Sequence, residues 1–314
     1  MNARPPRFTI DHPSDRAQLD MIPQILPEKA SIETSTTCNH SCTYCPVSEF
    51  PMAHQMMDLK LFKHVMDELA GLGRKLKRIS FNHYNEPLVD PFLVDRVRLS
   101  LGYDFFRKIL LNTNLSILPK KLPDELKFAR ARLEFNINLP TTDPERYRQL
   151  HGKDHYHRVE TNIGRLKDAG FTVRINIQDN SLVGRADQAS VITRFGGSIP
   201  VDTIESTSRG GLVEAVIRPY VKKADSVLAG CLQDRPTAYV HIGVAGEVFL
   251  CCQDYFKKDR LGDLTQQPLT EILKSPEARK YLEYIYGGRE SPVDFICNRC
   301  ELAVYRDAAT AEHA

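Results

Sequence analysis

No run of apolar residues in the 314-residue sequence approaches the ~20 that a membrane-spanning helix needs. The first residues, Met1-Asn2-Ala3-Arg4-Pro5-Pro6-Arg7, lack the apolar core of an export signal. No block of like charges occurs, and 42 Lys and Arg against 40 Asp and Glu leave a formal net charge of +2. These absences argue against a membrane or nucleic-acid partner and predict a cytoplasmic protein. Composition is otherwise that of a globular chain, 42% hydrophobic and 26% charged. The length suits one large domain or one domain with an appendage. Without an export signal, the eight cysteines read as reduced thiols rather than disulfides.

Three of those cysteines stand together in Cys38-Asn39-His40-Ser41-Cys42-Thr43-Tyr44-Cys45-Pro46. A C-x3-C-x2-C run offers three thiolates to one centre. Three irons of a cubane cluster can be held that way, leaving the fourth open to a substrate or cofactor. Zinc is the alternative, but it favours C-x2-C pairs and four ligands, and only His40 or His54 stands nearby to complete a site.

Periodicity predicts alternating strands and helices. Ala30–Thr34 reads as a strand entering the cysteine loop. Asp58–Leu72 has apolar residues at helical spacing behind Asp58 as N-cap, closed by Gly71 and Gly73. Strands follow at Lys77–Phe81, Lys108–Leu111, Leu133–Leu139 and Phe171–Ile177. Helices are expected at Leu88–Leu101, Leu122–Ala131, Tyr156–Ala169 and Leu269–Tyr286. Such alternation argues for a parallel sheet covered by helices, with ligands beyond the carboxyl ends of the strands. Tyr239–Ile242 and Glu247–Leu250 flank a glycine turn and predict a β-hairpin that delivers Cys251.

The C-x3-C-x-aromatic-C motif, with Tyr44 as the aromatic residue, resembles the signature of radical S-adenosylmethionine (radical SAM) enzymes, over roughly Ala30 to Leu302. The resemblance implies an α/β fold: a partial (β/α)6 radical SAM barrel with a small C-terminal β-hairpin/helix twitch domain. It implies an N-terminal arm over 1–29, the barrel over 30–222 and the twitch domain over 223–314. It also implies a [4Fe–4S] cluster on Cys38, Cys42 and Cys45. In this family SAM chelates the open iron, and its reductive cleavage yields a 5′-deoxyadenosyl radical that abstracts hydrogen. An electron donor such as flavodoxin or ferredoxin is implied as partner.

Further site residues follow from the same resemblance. Phe81-Asn82-His83-Tyr84-Asn85-Glu86-Pro87 is similar to the family's Gly-Gly-Glu-Pro segment, so Glu86 is expected at the SAM amino group, although the glycines are replaced. Asn112-Thr113-Asn114 resembles a turn lining the SAM pocket. Asn138 stands where relatives place a serine against the ribose, and Arg174 where they place an arginine for the SAM carboxylate. Ser208-Arg209-Gly210-Gly211 resembles the turn after the sixth strand. The alternative for Glu86 is a helix-capping Glu-Pro turn, and for Asn112-Thr113-Asn114, Asn138 and Arg174 an ordinary polar residue at a strand end.

The remaining cysteines, Cys231, Cys251, Cys252, Cys297 and Cys300, resemble the twitch domain, the short form of the SPASM extension. Four of them, Cys231, Cys251, Cys297 and Cys300, are then implied as ligands of a second [4Fe–4S] cluster, with a zinc knuckle as alternative. Cys252 is left over. Adjacent residues of an extended segment point opposite ways, so Cys252 is expected to face the substrate as a hydrogen-atom donor, or to be a small buried hydrophobe.

Chain length, cysteine layout and the spare Cys252 resemble a radical SAM epimerase, which implies inversion of a carbon stereocentre of an aminoglycoside, of the neomycin C to neomycin B type. The alternatives are a dehydrogenase of an aminocyclitol or amino-sugar alcohol, and a peptide-modifying enzyme. The 37 residues before Cys38 are few for a leader-peptide domain. A small-molecule amino-sugar substrate would want carboxylates, for which Glu134, Asp179, Glu205 and Asp254 are candidates, with His83 and Tyr84 adding hydrogen bonds.

Overall fold

The computed structural model describes residues 24–213 and 226–307. Six parallel strands run through its first part: β1 (Lys29–Ile32), β2 (Leu76–Ser80), β3 (Phe106–Thr113), β4 (Leu133–Asn138), β5 (Thr172–Asp179) and β6 (Val201–Glu205). Each lies beside the next in one sheet. Successive side chains point to its two faces in turn, as a period of two requires. On β4, Leu133, Phe135 and Ile137 are buried under the covering helices, while Glu134, Asn136 and Asn138 face the concave interior. The interior is therefore polar, and the apolar core lies between sheet and helices.

Helix α1 (Leu59–Gly71) shows how sequence builds this layer. The Asp58 side chain accepts from Leu61 N, and Phe62, Val65, Met66 and Leu69 are sealed against the sheet. Each such side chain contributes roughly 1.5–3 kcal/mol of burial. Losing the cap would cost about 1 kcal/mol.

Three expected elements came out differently, and two helices were not expected. The helix expected over Leu88–Leu101 is a 3-10 turn, Pro87–Val89, followed by α2 (Leu93–Leu101), because Pro91 cannot donate and Asp90 accepts from Phe92 N. Leu122–Ala131 breaks after α3 (Leu122–Glu125) into a 3-10 turn. Helices α4 (Pro144–His151) and α6 (Arg185–Phe195), either side of α5 (Tyr156–Asp168), were not anticipated. Leu269–Tyr286 is two helices, broken at Ser275-Pro276. After the short α7 (Arg235–Ala238) these are α8 (Leu269–Ile272) and α9 (Pro276–Ile285), the latter capped by Ser275 on Ala278 N.

The C-terminal part carries β7 (Ser226–Cys231), β8 (Tyr239–Ile242), β9 (Glu247–Phe249), β10 (Arg260–Asp263) and β11 (Ala303–Asp307). β8 and β9 form the expected hairpin, and β11 pairs antiparallel with β7. β8 also pairs in parallel with β1, Ala30 level with Val240. The hairpin thus continues the barrel sheet to nine strands, in the order β10-β9-β8-β1-β2-β3-β4-β5-β6. The boundary expected at 222/223 and most of the arm expected over 1–29 lie outside the described residues. Among the described residues no helix is long and apolar enough to cross a membrane.

Candidate active site

The loop after β1 folds back on itself, with Met57 N donating to Thr34 O at 2.9 Å and the Thr36 hydroxyl to Ala53 O at 2.7 Å. Cys38, Cys42 and Cys45 project from it into an 830 Å³ cavity at the carboxyl ends of the strands. Burial pushes the Cys38 thiol up to about 12 and the Cys42 thiol well above its ordinary value. Three thiols this poorly hydrated become thiolates only against a cation, which is what an iron–sulfur cluster supplies. The donor set fits the group.

Helix α4 braces this loop. Thr43 N and Ser41 N donate to Leu150 O and His151 O. Gly152, at φ +69°, ends the helix where a Cβ would meet Ser41 Oγ at 2.3 Å. The Tyr44 hydroxyl donates to His151 Nε2 and accepts from Asn138 Nδ2 at 3.0 Å. Burial holds His151 well below its usual range, so it is neutral and can accept. Asn138 Oδ1 is buried in the cavity wall with no partner among the described residues, an open acceptor of the kind a ribose hydroxyl satisfies.

Glu86 also lines the cavity. It accepts from the Thr113 hydroxyl at 2.6 Å, Asn114 N at 2.7 Å and Leu88 N at 3.0 Å. Burial raises its carboxyl to about 7 against those bonds. A carboxylate has about four acceptor sites, so one remains for an ammonium donor. Asn112 is laced to Asn82, with Asn112 N to Asn82 Oδ1 at 2.9 Å and Asn82 Nδ2 to Asn112 O at 2.7 Å. Arg174, expected at the SAM carboxylate, is engaged elsewhere. It is bonded to Asp202 and lies 3.8 Å from Glu134, so its charge is already balanced.

The second group of cysteines surrounds a separate, smaller cavity lined by Cys231, Cys251, Cys297 and Cys300. Burial drives the Cys297 thiol far up and the Cys300 thiol to about 12, again a set suited to a metal cluster. Cys252 lines the large cavity instead. Its sulfur accepts from Arg235 Nη1 at 2.9 Å, and the Tyr84 hydroxyl donates to its carbonyl at 2.9 Å. The Arg235 charge favours the thiolate form of Cys252. Sequence reasoning missed Arg235; its only signal was a lone basic residue four places after Cys231.

His83 is more than a hydrogen-bonding extra. Its Nδ1 lies 3.2 Å from Glu33 Oε1; the residue borders the cavity wall, and its Nε2 is buried with no partner among the described residues. His241, likewise unanticipated, lines the same wall, neutral because burial lowers it to about 4.

Of the acids expected to meet an amino sugar, Glu134 alone among the described side chains reaches the cavity, where Lys108 donates to it at 2.8 Å. Asp179 accepts from Gln188 Nε2 at 3.1 Å and lies off the cavity. Asp254 turns into its own loop, accepting from Asp259 N at 2.8 Å. Glu205 ends β6, and its side chain lies outside the described part. Arg209, in the turn after β6, lines the cavity and donates to Gln253 Oε1 at 3.3 Å.

A model of the radical SAM superfamily matches residues 32–186. A second, described as the SPASM iron–sulfur cluster-binding domain, matches residues 231–301. The S-adenosyl-L-methionine-dependent 2-deoxy-scyllo-inosamine dehydrogenase of Niallia circulans is 22% identical over 270 residues, 86% of this chain and 90% of that protein. The GTP 3′,8-cyclase of Chlorobaculum tepidum is 29% identical over 147 residues, 46% of this chain and 43% of the cyclase. The chain thus spans about half the length of the curated cyclases it matches. Among solved structures, BtrN in complex with AdoMet and 2-DOIA superposes with a TM-score of 0.58 at 21% identity, covering 88% of this chain and 93% of that one. SuiB of Streptococcus suis bound to its precursor peptide SuiA gives 0.64 at 12% identity, covering 91% and 72%. Both likenesses are of fold.

Proposed function

We propose that this chain, which carries a radical SAM domain followed by a SPASM-type iron–sulfur cluster-binding domain, oxidises a secondary alcohol of a small polar molecule to a ketone. Its cofactors are S-adenosylmethionine and [4Fe–4S] clusters. When bound, these supply one-electron chemistry: a hydrogen-atom acceptor on the adenosyl side and an electron acceptor on the auxiliary side. Cys38, Cys42 and Cys45 would hold the first cluster, and Cys231, Cys251, Cys297 and Cys300 the second. Glu86, Asn112 and Asn138, with Tyr44 behind Asn138, would orient S-adenosylmethionine.

The alcohol must lose a carbon-bound hydrogen atom, the hydroxyl proton and one electron. His83 is the chain's proton acceptor in this reading. Glu33 accepts from Nδ1–H, which leaves the Nε2 lone pair without a partner among the described residues.

The Arg235–Cys252 contact carries the choice of reaction. An epimerase must return a hydrogen atom, and a thiol can donate one. A sulfur with a guanidinium nitrogen 2.9 Å away is stabilised as thiolate and has no hydrogen atom to give. The near full-length likeness to the inosamine dehydrogenase supports the same reading. Turnover in deuterated water tests it. A ketone with no deuterium at the reacting carbon is expected. An inverted alcohol carrying one deuterium there would overturn the reading in favour of epimerisation with Cys252 as donor.

A further inference from the structure

The amino ends of the barrel strands form a charged floor. Lys108 bonds Glu134, Glu134 lies 3.8 Å from Arg174, and Arg174 bonds Asp202, so these charges balance in a chain. Two cations stand outside that chain. Lys29 of β1 is level with Arg78 of β2 on one side and with Tyr239 of β8 on the other. Lys29 Nζ and Arg78 Nη2 both donate to the Tyr239 hydroxyl oxygen, at 3.1 and 3.2 Å. Among the described residues neither cation has a carboxylate partner.

A phenol satisfies their hydrogen bonds but not their charge. Neighbouring strands are about 4.8 Å apart, and two like charges at such spacing repel in a half-buried site. Tyr239 registers that field. Burial pushes its hydroxyl up, but Arg78 and Lys29 outweigh burial and bring it below its ordinary value. Arg78 and Tyr239 line the same 830 Å³ cavity as the first three cysteines, Cys252 and His83. From Arg78 to Asn82 along β2 is about 13 Å at ~3.3 Å per residue. A six-membered ring with one extended substituent spans that length once the arginine side chain reaches up.

We propose that Arg78 and Lys29 form an anion seat at the barrel floor, and that the alcohol oxidised here carries a phosphate or carboxylate group that docks on it. The proposal rests on the reading that a small polyol occupies this cavity. It replaces the expected polyamino sugar. An ammonium group at the floor would face two like charges, and Glu134 and Asp202, which line the same cavity, are already paired with Lys108 and Arg174.

Calorimetric titration of the reconstituted holoenzyme with S-adenosylmethionine, at fixed ionic strength, tests this with glucose, glucosamine, glucose 6-phosphate and glucuronate. The wild-type protein should bind glucose 6-phosphate or glucuronate at least about tenfold more tightly than glucose and glucosamine, the scale of one charge-assisted contact. Whichever of the two prevails identifies phosphate or carboxylate. Arg78→Gln should abolish the preference, and Arg78→Lys should keep part of it. Equal or undetectable binding of all four sugars, tighter binding of glucosamine, or an undiminished preference in Arg78→Gln would overturn the proposal. If Arg78→Gln does not fold, the wild-type series still decides. Binding is read without turnover, so a failed ketone assay would count against the reaction and leave the anion seat standing.

Discussion

His83 Nδ1 lies 3.2 Å from Glu33 Oε1, with the two side chains 1% and 0% exposed. The carboxylate fixes the tautomer and leaves Nε2 without a partner among the described residues. His83→Gln keeps the size but not the basicity. Ketone formation is expected to fall about a hundredfold or more. Because the proton leaves after the hydrogen atom, the ratio of ketone to 5′-deoxyadenosine should fall with it. An unchanged ratio measured by chromatography would remove His83 as the proton acceptor.

Glu33 is held by more than His83. Lys257 bonds both Glu33 and Glu247, with Lys257 6% exposed, and Val244 N donates to Glu33 at 3.2 Å. Burial raises Glu33, but His83 and Lys257 outweigh it and hold the carboxyl below its ordinary value. The network clamps the C-terminal hairpin to the end of β1. Lys257→Met strands a buried carboxylate and should cost about 3–5 kcal/mol in urea unfolding. Adding Glu33→Gln should recover much of that loss. Additive losses in the double variant would show that the two do not interact.

Each of Cys38→Ala, Cys42→Ala and Cys45→Ala is expected to lose the iron of the first cluster and all S-adenosylmethionine cleavage, while iron at the second cysteine set remains. Iron and sulfide analysis after anaerobic reconstitution, with 5′-deoxyadenosine measured under strong reductant, checks both. Undiminished cleavage in any one variant contradicts the assignment.

Glu86 makes the cofactor-free protein sensitive to pH. Its carboxyl is raised from an ordinary 4.5 to about 7 by burial. A raised carboxyl stabilises the fold fully below pH 4.5, and the contribution is lost as pH rises to 7. Linkage over that window amounts to about 3 kcal/mol. The wild-type Tm should therefore rise on acidification from pH 7 toward 4.5 relative to Glu86→Gln. Parallel profiles would mean that Glu86 is not perturbed.

Much of the fold was legible along the chain because period and punctuation are local. Asp58 before Leu59–Gly71, and the glycine turn between β8 and β9, predicted their elements. Helix α4 escaped because its charged Pro-Glu-Arg-Tyr-Arg-Gln-Leu-His stretch buries only Tyr147, Leu150 and His151. Its buried face is covered by the cysteine loop on one side and by α5 on the other, neither of them legible in its own periodicity.

Spacing pointed to the first cysteine set and a family resemblance to the second, and alternation along an extended segment predicted that Cys251 and Cys252 would face different spaces. Close sequence spacing leaves sulfurs few ways to lie apart, so such motifs survive without a fold. Arg235 against Cys252, Glu33 behind His83, and Lys29 with Arg78 around Tyr239 join residues 17, 50 and up to 210 positions apart. Charge at those positions means nothing until strands align them. Only the tertiary structure decided which cations are balanced, which thiol meets an arginine, and hence which reaction and substrate charge the cavity favours.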